Sequence, residues 1–376
     1  MRILLKVAVV AAAAGMVAAC GAPSAPPSST SQASASASAH PGTTSGPTWN
    51  PADWDTSKVC GTKRIKIGVE DGLNNTWRKT ALEVLRVQIA KCPNIDPHIE
   101  YASANGNPQQ VSTDINSMVS KGVNLLIVLP DFGDSELPAL RAATKAGVTV
   151  VPYYGSIGGK AGTDYTLSVH LDTYGIGQRI ASWFGKNVPS GNVAVIGDVA
   201  TSTSAKDLYD GVKAGLAAYP SLKLVGDSFL VGNYDPQTIQ KVTTGAIQKY
   251  GNITAIATAG CGSMYVAPFT AAGVRPPAVG CSAGANITYC DYSKLSGTAK
   301  YPFATWESTT QVIAAALRHG LASYNSIAWD EPTAIVPQQA VDTAGGKAAL
   351  TCDPGLPADA DLTSGLTASQ LTAALK

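Results

Sequence analysis

The stretch KIGVEDGLNNTWRKT, Lys66 to Thr80, decides how the chain is read. KIGVED has the apolar, β-branched character of a strand, and TWRKT opens an amphipathic helical run from Thr76 to about Lys91. A nucleotide-binding unit would fill the corner between them with glycines, so that phosphates could approach backbone amides. Here the corner carries the pair Asn74-Asn75, with an indole, Trp77, just inside the helix. Asn75 has two readings, as the helix N-cap or as a group facing a ligand.

The same strand-to-helix rhythm continues on both sides. RIKIGVE, HIEYASA, NLLIVLP and TVVPYY alternate with helical runs through DINSMVSKG and LPALRAATKAG. Strands that read as continuous Val, Ile and Leu are buried on both faces, and helices between them make right-handed crossovers of a parallel sheet. After TLSVHLD the rhythm restarts with IASWFGKN, NVAVIGD, AKDLYDGVKAGLAAYP, LKLVGDSFLV, a helix from Pro236 to Tyr250, AIATAG and AVGCSA. The expectation is an α/β protein of two doubly wound parallel-sheet lobes. Ligands in such sheets lie outside the carboxyl ends of the strands, so two facing edges make a cleft. Trp183, Phe184 and Leu216, at helical spacing, read as core.

The chain has 376 residues, 45% of them hydrophobic, enough for more than one buried core. Its formal charge is +1 with 14% charged residues, and no cluster of Lys and Arg suits a nucleic-acid partner. At the N-terminus, Arg2 and Lys6 precede an apolar run, Val7 to Ala19, too short to span a bilayer. Residues 1–19 therefore read as a cleaved export signal. The small residues of VAAC before Cys20 resemble the lipobox of bacterial lipoproteins, in which the cysteine is diacylated. Residues 20–58 are Ser, Ala, Pro, Gly and Thr with few large apolar groups, a disordered tether. Six cysteines remain, an even count that in an exported chain points to three disulfides. Cys60 precedes the first strand and Cys92 follows the first helix, so these two are paired. Cys261, Cys281, Cys290 and Cys352 allow three connectivities, and spacing does not choose among them. No CxxC occurs and His98, His170 and His319 lie near no cysteine in sequence, so no metal site is expected.

Catalytic and cofactor patterns fail on their spacing. GSIGGKAG, Gly155 to Gly162, has Tyr154 where a P-loop needs Gly and Ala161 where it needs Ser or Thr, and reads as a mobile turn. No GxSxG elbow is present, and His170 reads as a packed or hinge residue. The expectation is a protein without enzymatic activity or cofactor.

At this point the motifs, taken in order, resemble the type I periplasmic binding proteins, in the ribose and galactose branch that feeds ABC sugar importers. LNNTW is similar to that branch's corner after the first strand, DINSMVSKGVNLLIVLP to its second helix and third strand, and AGVTVV to its fourth strand. HLDTYGIGQ resembles its lobe crossing, SAKDLYDGV the helix opening with a basic residue five before Gly, and FATWES the segment that re-enters the first lobe. The resemblance covers about Arg64 to Ser323. It implies lobe 1 from residues 59–172 and 307–335, lobe 2 from 173–306 and 336–376, and a three-strand hinge near Asp172, Glu307 and Val336. It implies Asn75, Trp77 and Arg78 on the edge of the first lobe, with Lys206, Tyr234 and Glu307 on the second lobe and hinge. Trp306 is a second stacking candidate, in place of Trp77 or beside it. A neutral polyol needs donors and acceptors around its rim and flat apolar faces against its C–H surfaces, which Asn and Trp supply.

Three positions depart from the branch. Tyr154-Gly155 stands where monosaccharide binders often have Asp-Arg, Gly260-Cys261 where Asn-Asp is usual, and Ser282 where an Asp is usual. Charged bidentate anchors give way to aromatic, small and hydroxyl groups, so the ligand is held differently from ribose or galactose. The resemblance implies a monomeric, extracytoplasmic lipoprotein, anchored to the bacterial cell membrane, that delivers a carbohydrate or polyol to an ABC permease. A receptor passing the signal to a membrane kinase uses the same fold and stays open as an alternative. The tail beyond Trp329 is expected to pack on the second lobe through a disulfide.

Overall fold

A computed structural model describes residues 48–376, Thr201 excepted. The export signal, Cys20 and the tether as far as residue 47 lie outside the described residues. In chain order the first half contains β1 (Ile65–Asp71), α1 (Thr76–Ile89), β2 (Ile95–Ser103), α2 (Pro108–Ser120), β3 (Leu125–Leu129), α3 (Leu137–Lys145), β4 (Thr149–Tyr154) and β5 (Val169–Leu171). There follow α4 (Thr173–Asn187), β6 (Gly191–Gly197), α5 (Thr203–Leu216), β7 (Leu222–Leu224), β8 (Leu230–Val231), α6 (Pro236–Tyr250), β9 (Ile253–Thr258), α7 (Ala267–Ala271), β10 (Ala278–Ser282), α8 (Asn286–Ser293) and β11 (Phe303–Trp306). The chain ends with α9 (Val312–Asn325), β12 (Ala334–Ile335), β13 (Gln339–Asp342) and α10 (Ala368–Ala374).

Two sheets result, one ordered β12-β5-β4-β3-β1-β2 and the other β13-β11-β10-β9-β6-β7, with β8 added beside β6. Every pairing is parallel except β11 with β13. The strands explain this themselves: β3 and β10 are buried at every position, as strands covered by helices on both faces must be. The chain passes between the sheets after β5, after β11 and between β12 and β13. Trp183, Phe184 and Leu216 lie in the core.

Helix starts follow local chemistry. Asn75 accepts from Arg78 N, Asp172 from Gly175 N, and Asp235 from Thr238 N ahead of Pro236. The glycines of HLDTYGIGQ and SAKDLYDGV have a packing reason: a Cβ on Gly177 would come within 2.5 Å of Leu208 O, and one on Gly211 within 2.1 Å of Tyr174 O. Helices α4 and α5 therefore touch backbone to backbone.

Three disulfides join Cys60 to Cys92, Cys261 to Cys281 and Cys290 to Cys352. Among the described residues no helix is long and apolar enough to cross a membrane.

Two sequence expectations need correction. The tether does not reach residue 58 as unpacked chain: Trp49 is buried, its N donates to Val336 O at 2.7 Å and its Nε1 to Glu331 Oε1 at 2.9 Å. Thr56 and Val59 are also buried. Trp49, with Trp54 edge-on to Trp329 and Thr56 and Val59 buried beside them, docks the end of the low-complexity run. The tail does not stay on the second lobe either, since α10 packs on α1 of the first.

Candidate ligand-binding cleft

The carboxyl ends of both sheets carry the polar groups of interest. On the first lobe, Arg78 in the opening turn of α1 is buried and its Nη2 meets Asp131 Oδ1 at 2.5 Å, just beyond β3. Gly72 gives the corner its close approach, because a Cβ there would lie 2.6 Å from Asp131 Cβ. The backbone of Gly72 and Leu73 then runs close beside the Asp131 carboxylate. The corner does use a glycine for an anion, but the anion is a side chain of the same lobe. Burial still raises the Asp131 pKa, against the pull of Arg78. Asp71, at the end of β1, is pushed to about 7 by burial while Arg78 opposes, and it accepts from Tyr153 OH at 3.3 Å.

Above this network lie two rings. Trp77 meets Tyr154 edge-on with centroids 4.7 Å apart and planes at 62°, and its Nε1 donates to Thr309 Oγ1 at 3.1 Å. Tyr154 has φ +67°, a conformation a bulky residue adopts only when its surroundings impose it. Tyr234, at φ +51°, Ala283, at +58°, and Ser308, at +68°, share this strain at the corresponding corners of the second lobe and hinge. Strained residues collected at strand ends are typical of ligand clamps.

On the second lobe Asp198 follows β6, and Tyr234, 52% exposed, follows β8 with its OH 3.5 Å from Asp198 Oδ2. Gly260 at the end of β9 leaves room for the Tyr234 ring, which would stand 3.4 Å from a Cβ there. The lobes reach each other at this level. Tyr154 is raised to about 12 by burial first and then by the charge of Asp198 across the cleft, with Arg78 opposing. Ser156, in the GSIGGKAG turn, donates to Asp207 of α5 at 3.4 Å. The turn itself is pinned, with Gly158 N bonded to Asp134 Oδ1 and Lys160 N to Asp164 Oδ2, both at 2.7 Å. Asp131 Oδ2, Arg78 Nε and Asp198 Oδ1 are buried atoms without a protein partner. Such atoms carry a desolvation cost that a hydroxyl-rich ligand would offset.

Of the sequence-derived candidates, Arg78, Trp77 and Tyr154 stand together at the strand ends of the first lobe, and Tyr234 stands beside Asp198 on the second. Asn75 stands at the same corner with its Oδ1 committed to the α1 cap at 3.0 Å. Lys206 does not join them: it lies on the exposed face of α5 and pairs with Asp210. Ser282 is buried and donates to Ala259 O at 2.9 Å, which pins two strand ends. Trp306 is only 4% exposed and packs in the core, so it offers no stacking face. Glu307 is buried and accepts from Tyr289 OH at 2.6 Å and Gly284 N at 2.8 Å, a hinge residue with its oxygens engaged. Burial, reinforced by Asp361, lifts its pKa to about 7. Sequence reasoning missed Asp131 and Asp198, although each is an acid directly after a strand, in NLLIVLPD and NVAVIGD. Among the described residues no group of three His, Cys, Asp or Glu side chains is placed to hold a metal. A separate groove of about 1010 Å³, lined by Tyr292, Lys300, Tyr301 and Leu350, opens between α8 and the tail, and no carboxylate lines it.

A family model for the periplasmic binding protein domain matches residues 70–319. The chain belongs to the periplasmic binding protein family. Its two lobes are the type I fold of that family, whose members bind solutes and are not enzymes. The D-xylose-binding periplasmic protein of Escherichia coli (strain K12) is 26% identical over 202 residues, covering 52% of this chain and 59% of that one. The chain thus spans about three-fifths of the length of the curated relatives it matches. An ABC transporter solute-binding protein from Actinobacillus succinogenes 130z, solved with bound D-allose, aligns at TM-score 0.60 and 20% identity, over 74% of this chain and 96% of that one. The fructose-binding periplasmic domain of a hybrid two-component system aligns at TM-score 0.60 and 18% identity, over 74% and 91%. These two likenesses concern the fold.

Proposed function

We propose that this binding protein captures a neutral sugar or sugar-like solute between Tyr154 and Tyr234 and delivers it to an ABC permease. The observation that carries the reading is the placement of Tyr154 and the Arg78–Asp131 pair at the strand ends of the first lobe and of Tyr234 with Asp198 at those of the second, where a buried carboxylate oxygen on each lobe lacks a protein partner. Rings stack on the C–H faces of a sugar, and the free carboxylate oxygens accept from its hydroxyls. The D-xylose-binding relative and the D-allose-bound neighbour support the class of solute. In this reading Cys20 is diacylated, the chain is held outside the cytoplasmic membrane as a monomer, and the low-complexity run gives it reach. A second reading, a sensor passing the signal to a kinase, draws on the hybrid two-component neighbour. A neighbouring permease gene favours delivery and a neighbouring kinase gene favours sensing.

The test is a thermal-shift screen across sugars, polyols, nucleosides and amino acids. A solute at about a hundred times its Kd adds roughly 2.7 kcal/mol of stability, a shift that is easily seen. Sugars or polyols should give it. If amino acids alone raise the Tm, the carbohydrate reading is wrong.

A further inference from the structure

The C-terminal segment, residues 352–376, leaves one lobe and ends on the other. On the second lobe it is fixed covalently by the bond from Cys352 to Cys290 of α8. Beside that bond the buried Asn286 side chain clasps the segment: Nδ2 donates to Asp353 O at 2.7 Å and Oδ1 accepts from Asp353 N at 3.0 Å. The backbone N–H groups of Asn286 and Ile287 donate to Ala360 O at 2.8 Å and Ala358 O at 2.9 Å.

From Asp361 to Ser364 the partners outside the segment belong to the chain after the second crossing. Thr310 Oγ1 donates to the buried Asp361 Oδ2 at 2.7 Å, Ser308 N donates to Thr363 Oγ1 at 2.8 Å, and Gln311 Nε2 donates to Ser364 O. The other Asp361 oxygen accepts from Thr363 N at 2.8 Å and Thr363 Oγ1 at 2.7 Å, which holds the turn in shape. Helix α10, opened by a capping box between Thr367 and Gln370, then buries Leu371 where it packs on α1.

We propose that this segment is a fourth crossing of the hinge, a strap that limits how far the lobes open. Hinge motion is absorbed by backbone rotation at a few positions. Ser308 is such a position, with left-handed backbone at the end of β11, and its N–H is held by the strap. Opening must stretch a segment bonded at one end and buried at the other, or release its contacts with Ser308, Thr310 and Gln311. The inference needs lobes that move and does not depend on the solute being a sugar.

The experiment measures the unliganded protein by small-angle X-ray scattering and amide hydrogen exchange. Cys290→Ser with Cys352→Ser frees the strap on the second lobe, and Asp361→Ala frees it at the hinge. Cys60→Ser with Cys92→Ser removes a disulfide inside the first lobe and serves as the control. Both strap variants should raise the radius of gyration and lose exchange protection at residues 171–173, 307–309 and 335–338, while the control leaves both readings as they are. Where Asp361→Ala does not fold, Thr310→Val removes a single hydroxyl from the same contact. Unchanged readings in either strap variant, or an equal change in the control, overturn the proposal.

Discussion

Trp77 and Tyr154 form one edge-on pair in the first lobe: the indole meets the phenol at 4.7 Å while its Nε1 is held by Thr309 at the start of the chain's return to that lobe. With its Nε1 tied to Thr309, Trp77 is committed to its own lobe, and the proposed binding mode uses Tyr154 as the first lobe's ring. Trp77→Ala should lower the stability of the ligand-free protein by about 3 kcal/mol, the low end for aromatic truncation in a core. Tyr234→Ala, which removes a half-exposed ring, should cost little stability and appear as lost affinity. Urea unfolding beside ligand titration separates the two, and the same result for both variants would contradict the assignment.

Asp198 tests the second lobe. Its Oδ1 has no protein partner and burial raises its pKa, so Asp198→Asn should leave the ligand-free protein as stable as before or more so. Binding should weaken by about tenfold, the worth of one hydrogen bond to a charged group. Lys206→Ala, at an exposed helix pair worth a few tenths of a kcal/mol, should change neither property. Isothermal titration of both variants decides.

Glu70 gives the protein a pH signature. It is fully buried in β1 with neither carboxyl oxygen bonded, and burial, with Glu136 and Asp71 nearby, lifts its pKa from 4.5 to about 9. Between those values the folded chain keeps a proton that the unfolded chain has released, so this contribution is complete below 4.5 and is lost as pH rises toward 9. Glu70→Gln is neutral throughout and should be the more stable form at pH 8, by on the order of a few kcal/mol, with the gap closing near pH 4.5. Melting curves across that range would refute this if the gap were constant.

Glu331 should tolerate no truncation. Both its oxygens are used, by Arg318 Nε at 2.7 Å and Nη2 at 2.5 Å, by Trp49 Nε1 at 2.9 Å and by Trp329 Nε1 at 3.0 Å. Glu331→Ala leaves a buried guanidinium without its counter-charge and should cost about 3 to 5 kcal/mol. Denaturant unfolding measures it, and a loss below 1 kcal/mol would show the pair to be dispensable.

Cys20→Ala should abolish membrane retention. Two acyl chains hold a protein firmly where one is marginal, and without the cysteine neither is added. Cell fractionation reads the outcome, and normal retention of the variant would end the lipoprotein proposal.

The order of strands and helices was legible in the chain because its signals are local. Continuous Val, Ile and Leu mark β3, and Asn75 and Asp235 cap their helices within three residues. The pairing of Cys60 with Cys92 followed from both cysteines flanking one βα unit. What the sequence could not decide were contacts whose partners lie far apart along it. Trp49 meets Glu331 across 282 positions, which no periodicity records, and that bond turned the end of a low-complexity run into packed structure. Ser282, Trp306 and Glu307 occupy the expected strand ends, but burial and neighbouring groups had already engaged them. Asp131 and Asp198 became candidates for the site only when two sheet edges faced each other. A carboxylate's availability depends on the water removed and the donors brought near it, and both are fixed by the tertiary fold.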